Sequence, residues 1–203
     1  MNNKKSLKKK FRNFCKENLK INRYLFSKII SKELYNISKE YKNILLFIPL
    51  ENEADIKPLI KKLRREKKNI FVPFMEGLSF KMVKYSLPLK KKKFSIIEPH
   101  NKNKTLEKID LAIVPVLGVD SDFRRIGFGK GMYDRFFESL GYKPKIVFVQ
   151  IRPCFSKIKV SDEYDIKADE YISYKVRRKN DNRGYSNFFF IRSFGVFFGK
   201  KDG

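Results

Sequence analysis

Short apolar runs that alternate with helical patterns constrain the fold of this chain most strongly. Residues 44–48, 69–74, 109–114 and 146–149 are almost continuously apolar, and 170–173 forms a fifth, shorter run. Runs of this kind are typical of strands that are buried on both faces. Helical periodicity separates several of them, notably over residues 55–67 and 129–140. The order predicts an α/β fold, a three-layer α/β/α domain with a mainly parallel sheet.

An N-terminal helical segment precedes the predicted sheet. Over residues 4–42 the chain contains neither Gly nor Pro, and Leu7, Phe11, Phe14 and Cys15 form one apolar stripe at helical spacing. We expect a single domain over residues 1–175. Residues 176–203 depart from the pattern and form a basic, Phe-rich extension of unknown role.

The strong positive charge of the chain is compatible with several classes of binding partner. The chain has 203 residues, with 47 Lys and Arg against 22 Asp and Glu, a formal net charge of +25. Such an excess is typical of proteins that bind nucleic acid or anionic surfaces. It could equally serve a small phosphorylated ligand, or reflect compositional drift, since Lys, Asn, Ile and Phe are abundant together.

The numbers and positions of the cysteine, histidine and apolar residues argue against several other classes of protein and site. Cys15 and Cys154 are far apart and form no Cys-x-x-Cys pair, which argues against a disulfide framework and a cysteine-rich zinc site. His100 is the single histidine and lies in a polar stretch, where we expect an exposed loop residue. No apolar run is long enough to span a membrane, and the basic N-terminus lacks the apolar region of a signal peptide. We therefore expect a cytoplasmic protein.

A glycine-rich segment follows the strand at 109–114. Gly127, Gly129 and Gly131 alternate with other residues just before a predicted helix. Without Cβ atoms their N–H groups can approach phosphate oxygens closely. The spacing matches neither the Walker A loop nor the dinucleotide fingerprint, so a purely structural turn stays open as an alternative.

Charged residues around the glycines favour a phosphate site. Arg125 and Lys130 place fixed positive charge beside the loop, and Asp134 lies one turn into the predicted helix. A carboxylate there could hold the magnesium ion that neutralises nucleotide phosphates. The alternative for Asp134 is a residue on the helix surface that pairs with Arg135.

Residues 125–134, Arg-Ile-Gly-Phe-Gly-Lys-Gly-Met-Tyr-Asp, resemble the R-L-G-x-G-x-G-Y-Y-D signature of the 5-formyltetrahydrofolate cyclo-ligase family, also called methenyltetrahydrofolate synthetases. The preceding V-P-x-L-x-x-D stretch is similar too. Weaker agreements follow the family order at residues 5–8, 48–53 and 163–169. The resemblance covers about residues 4–174.

This resemblance implies a specific reaction. The family converts 5-formyltetrahydrofolate to 5,10-methenyltetrahydrofolate, with ATP as co-substrate and Mg²⁺ as cofactor, releasing ADP and phosphate through a phosphorylated formyl intermediate. The implied partners are therefore small molecules, a reduced folate and ATP, and we expect neither a membrane nor nucleic acid as the partner. We expect a monomer, with a dimer as the alternative.

The resemblance also assigns residue roles. Lys130 and Arg125 are the implied catalytic residues, and Asp134 and Asp165 the implied magnesium ligands. The implied ATP contacts are Lys4, Lys8, Arg125, Ile126, Gly127, Phe128, Gly129, Lys130, Gly131, Met132 and Tyr133. The implied folate contacts are Ile48, Glu53, Phe128, Gly129, Lys130, Gly131 and Met132.

Three departures from the family pattern keep other functions open. Met132 replaces a usual aromatic, Lys8 a common Arg, and Tyr164 a common His. Lys lacks the bidentate geometry with which Arg holds phosphate. The alternatives are a nucleotide-binding paralogue with another substrate and a basic nucleic-acid-binding protein that uses the N-terminal lysines and the tail.

Overall fold

The computed structural model describes residues 2–17, 23–91, 97–100, 107–174, 176–179 and 196–198. Four helices and thirteen strands lie within these ranges. The helices are α1 (Asn2–Glu17), α2 (Arg23–Ser38), α3 (Lys57–Arg65) and α4 (Met132–Glu138). The strands are β1 (Asn43–Leu45), β2 (Asn69–Glu76), β3 (Ser79–Lys84), β4 (Leu89–Lys91), β5 (Ile97–Pro99), β6 (Leu111–Pro115), β7 (Gly118–Val119), β8 (Arg125–Ile126), β9 (Lys145–Val149), β10 (Cys154–Ser156), β11 (Glu170–Ser173), β12 (Val176–Lys179) and β13 (Val196–Phe198).

The main sheet has seven strands in the order β12-β11-β9-β6-β1-β2-β3. Its five central strands run parallel, and β12 and β3 add antiparallel edges. Ile44 in β1 pairs with both Ile70 in β2 and Leu111 in β6. The predicted α/β fold with a mainly parallel sheet is confirmed. The first strand is shorter than its apolar run, because residues 46–50 leave the sheet as an irregular segment.

Alternate residues of the central strands bury opposite faces of the sheet. Ile44 and Ile113 pack with α2 and α3, whereas Leu45 and Val114 pack with Phe136 of α4. Each large apolar side chain buried in this way contributes about 1.5–3 kcal/mol to the free energy of unfolding. The continuous apolar runs in the sequence follow from this burial on both faces.

A smaller sheet, in the order β13-β10-β7-β8, carries Arg125 on its edge strand β8. Helix α1 packs on it through Phe11 and Cys15, and a disulfide joins Cys15 to Cys154 with the Cα atoms 5.9 Å apart. The distance between the two cysteines in the sequence had argued against such a bond. Folding brings them together because both side chains belong to the same apolar cluster.

Strands β12 and β13 lie in the predicted extension, each at the edge of a sheet. Its Phe188–Phe190 run lies outside the described residues, as do residues 18–22 of the predicted N-terminal helical segment. Among the described helices, none has the length and apolar character needed to cross a membrane.

Candidate functional site

Two cavities meet at the glycine loop, residues 127–131. The first, of about 570 Å³, is called here the basic cavity. It is lined on one side by Lys5, Lys8, Lys9, Arg12 and Lys16 of α1, and elsewhere by Arg125, the glycine loop, Asp134, Arg135, Asp162, Tyr164 and Asp165. Basic side chains outnumber carboxylates in this lining, so the cavity suits a polyanion.

The second cavity, of about 330 Å³, is called here the apolar cavity. It lies where β1, β2 and β6 end, the edge at which parallel sheets form ligand crevices. Its lining includes Phe47, Ile48, Leu50, Glu53, Pro73, Met75, Phe80, Ile97, Pro115, Arg125, Phe128 and residues 130–133. Mostly apolar walls with a few polar groups are typical of sites that bind small organic molecules.

Arg125 lines both cavities and is almost fully buried, with 7% of its surface exposed. Its guanidinium donates a hydrogen bond from Nε to the carbonyl of Pro115 at 3.3 Å and lies 3.6 Å from Asp134 Oδ2. The ring of Tyr133 stacks against it at 4.9 Å. These contacts fix a positive charge at the boundary of the two cavities.

The glycine loop is built around that guanidinium. A Cβ atom on Gly127 would collide with the Arg125 guanidinium, so any other residue at this position would displace that group. Gly131 precedes α4 with φ of 59°, in the left-handed region that other residues rarely adopt. Arg12 on α1 donates to the carbonyl of Gly127 at 3.0 Å and closes the loop from the other side.

Hydrogen bonds to the backbone at residues 165 and 166 hold Asp134 beside the segment that carries Asp165. Asp134 Oδ1 accepts a hydrogen bond from the N–H of Ile166 at 3.2 Å, and Arg124 donates to the carbonyl of Asp165 at 2.7 Å. Asp120 holds the neighbouring segment by accepting from the N–H groups of Val160 and Ser161. The aspartate of the V-P-x-L-x-x-D stretch therefore has a structural role.

Both carboxylates face the basic cavity and are buried, with 8% of Asp134 and 6% of Asp165 exposed. Burial raises the pKa of Asp165, which hydrogen bonds from Lys8 and the backbone of Asp162 only partly counteract. Two carboxylates beside a cavity that suits a polyanion fit Mg²⁺, which takes one or two carboxylates together with phosphate oxygens. The described residues contain no group of three or more His, Cys, Asp or Glu arranged to hold a metal ion alone.

Glu53 is the acidic group of the apolar cavity. Its Oε2 accepts a hydrogen bond from the N–H of Leu50 at 2.9 Å, and its backbone carbonyl accepts from Arg23 at 2.8 Å. Burial raises its pKa to about 7, against the lowering effect of that hydrogen bond and of Arg125. Burial, together with Glu53, also raises the pKa of Tyr133.

The structure brings most of the predicted site residues to these cavities. Four of them line the apolar cavity but not the basic cavity: Ile48, Glu53, Met132 and Tyr133. Two residues assigned to ATP lie elsewhere: the side chain of Ile126 is buried in the cluster under α1, and Lys4 reaches Asp162 at 3.6 Å outside the cavity lining.

Sequence reasoning missed several lining residues. Arg12 follows Lys8 by four positions, so helical spacing could have placed it on the same face of α1. Asp162 and the β2–β3 residues Met75 and Phe80 gave no local signal, because only the tertiary fold brings them to the site.

Comparison with known proteins decides the family. The model of the 5-formyltetrahydrofolate cyclo-ligase family matches residues 2–152, three quarters of the chain. The chain belongs to this family. That membership confirms the predicted resemblance and, with it, the predicted class of enzyme.

Individual relatives agree with the family model. The chain is 30% identical to the 5-formyltetrahydrofolate cyclo-ligase of Haemophilus influenzae over 105 residues, which cover 48% of this chain and 56% of the relative. It is 26% identical to the mouse enzyme of the same name over 174 residues, which cover 78% of this chain and 84% of the relative.

Two solved structures share the fold. The 5,10-methenyltetrahydrofolate synthetase of Aquifex aeolicus superposes with a TM-score of 0.70 at 25% identity, covering 92% of this chain and 97% of the other. The synthetase of Mycoplasma pneumoniae gives 0.57 at 18% identity, with 83% and 97% covered, and supports the fold alone.

Proposed function

We propose that this chain converts 5-formyltetrahydrofolate and ATP to 5,10-methenyltetrahydrofolate, ADP and phosphate. The observation that carries the proposal is the pair of cavities that meet at the glycine loop. The basic cavity would take the triphosphate and the apolar cavity the pterin. Arg125 and Lys130 line both cavities, so the γ-phosphate and the formyl group would meet beside them.

Ring closure needs activation of the formyl oxygen, which is a poor leaving group. That oxygen attacks the γ-phosphorus and ADP departs. The N10 lone pair then attacks the activated formyl carbon and N10 loses its proton. The C–O bond breaks, and phosphate leaves with the oxygen that belonged to the formyl group. No covalent protein intermediate is required.

Phosphoryl transfer of this kind depends on positioning and charge stabilisation. The buried guanidinium of Arg125 is fixed by Pro115 and Asp134 before substrate arrives, so little reorganisation is needed as charge develops. Lys130 supplies a second positive charge at the same boundary. Glu53 lines the apolar cavity and would accept hydrogen bonds from the N–H groups of the pterin.

Asp134 and Asp165 are the residues that would hold Mg²⁺, which supplies charge neutralisation of the phosphates when bound. We further propose that the protein acts in the cytoplasm on these small molecules. The +25 charge of the chain would then speed encounter with two polyanionic substrates.

Near-ultraviolet absorbance of the methenyl product tests the reaction. Purified protein with 5-formyltetrahydrofolate, Mg²⁺ and ATP should produce the band, and the mixture without ATP should not. Lys130→Ala should lower the rate roughly 10²-fold, the scale expected when one transition-state contact is removed. Lys61→Ala removes the same charge on α3, outside both cavities, and should match the wild type. An absent band from folded protein would overturn the proposed reaction, and equal rates for both variants would overturn the catalytic role of Lys130.

A further inference from the structure

Lys8 bridges two carboxylates, and one of them, Asp165, is a proposed metal ligand. Its ammonium donates to Asp162 Oδ2 at 2.8 Å and also to Asp165 Oδ2. The Lys8 side chain is 14% exposed and that of Asp165 7%, so the pair is largely shielded from water. The ammonium group of Lys8 is therefore not solvated: it already has two anionic partners.

Asp165 Oδ2 accepts more than one hydrogen bond. The same oxygen accepts the N–H of Asp162 at 2.7 Å. A divalent cation and an ammonium group compete for one carboxylate oxygen, because both are positive and repel each other at such short range. Departure of Lys8 from Asp165 therefore favours binding of a metal ion to that oxygen.

Asp162 would keep its partners if Lys8 moved. Lys4 lies 3.6 Å from Asp162 Oδ1, and the hydroxyl of Tyr164 donates to Asp162 Oδ2 at 3.0 Å. Lys8 also lines the basic cavity, and four rotatable bonds allow its ammonium to swing toward a phosphate group there.

We propose that Lys8 acts as an exchangeable counterion, a role that rests on the proposed function. Without nucleotide, its ammonium neutralises Asp162 and Asp165. When the nucleotide enters the basic cavity, the ammonium moves to a phosphate oxygen and frees Asp165 for the metal ion. Metal binding thus depends on nucleotide binding, and the free protein discriminates against divalent cations alone.

Binding of Mn²⁺ alone, measured by electron paramagnetic resonance without nucleotide, tests the exchange. Lys8→Met should bind Mn²⁺ about tenfold more tightly than wild type, within the usual range of coupling between sites. Lys5→Met is the matched control: it removes a charge from the same helix and cavity, and Lys5 is exposed to solvent, whereas Lys8 is held against Asp165. Adding Asp165→Asn to Lys8→Met should abolish the gain.

A second arm uses ADP with the same variants. Lys8→Met should bind ADP more weakly than wild type, and ADP should tighten Mn²⁺ binding less in the variant than in wild type. Equal Mn²⁺ affinity of folded Lys8→Met and Lys5→Met would overturn the exchange and leave a structural ion pair. The absorbance assay of wild type is independent of these binding measurements. If the methenyl band forms but the two variants bind Mn²⁺ equally, only the proposed exchange is overturned. If no band forms but the Mn²⁺ affinities are as predicted, only the assigned reaction is overturned.

Discussion

Glu53→Gln should change how stability depends on pH. Glu53 lines the apolar cavity, and its carboxylate accepts a hydrogen bond from the N–H of Leu50. Burial outweighs this bond and raises the pKa of the carboxyl group to about 7 from an ordinary 4.5. In the unfolded chain the same group ionises near its ordinary pKa. The unfolded state therefore releases its proton first as the pH rises, and the wild-type fold loses stability between about pH 4.5 and pH 7.

The size of the loss follows from the two pKa values. Their difference corresponds to about 3 kcal/mol of unfolding free energy above pH 8. This is an upper limit, since Glu53 is partly reached by solvent. Gln has nearly the shape of protonated Glu and cannot ionise, so the variant should match wild type near pH 4 and exceed it at alkaline pH.

Urea denaturation followed by circular dichroism, from pH 4 to pH 8.5, measures the difference. The stability curves of wild type and Glu53→Gln should diverge as the pH rises. Glu51→Gln changes an exposed glutamate two residues away and should follow wild type throughout. Parallel curves for wild type and Glu53→Gln would refute the reasoning that the cavity desolvates this carboxylate.

Three further variants test the architecture of the site. Gly127→Ala should lower turnover roughly tenfold, because the new Cβ displaces the Arg125 guanidinium; unchanged kinetics would contradict the packing. Arg12→Ala should weaken ATP binding roughly tenfold by removing a charged hydrogen bond to the loop, as measured by calorimetry against the exposed control Lys10→Ala. Asp134→Asn should abolish Mg²⁺-dependent turnover with the circular dichroism spectrum intact; normal turnover would remove Asp134 from the metal site.

The sheet could be predicted from sequence because its strands are buried on both faces. The runs that contain Ile44, Ile70, Ile113 and Val147 lack polar alternation, and all four residues lie in the core. Boundaries were less predictable: the first strand ends at Leu45, where the chain turns aside to form the wall of the apolar cavity.

One part of the site is a local sequence motif and could be predicted, whereas the other part depends on tertiary contacts. Residues 125–134 are contiguous, so the glycine loop, Arg125 and Asp134 could be recognised as one motif. The partners of Lys8 could not, because Asp162 and Asp165 lie more than 150 positions away in the sequence. The bond between Cys15 and Cys154 was hidden for the same reason.

Transfer of the formyl oxygen tests the central claim most directly. We expect that 5-formyltetrahydrofolate labelled with ¹⁸O in the formyl group, incubated with the protein, Mg²⁺ and ATP, will give one ¹⁸O atom in the released phosphate for each methenyl product. Mass spectrometry of the phosphate measures this ratio. Methenyl product with unlabelled phosphate would contradict phosphorylation of the formyl oxygen, and the absence of product would contradict the proposed reaction itself.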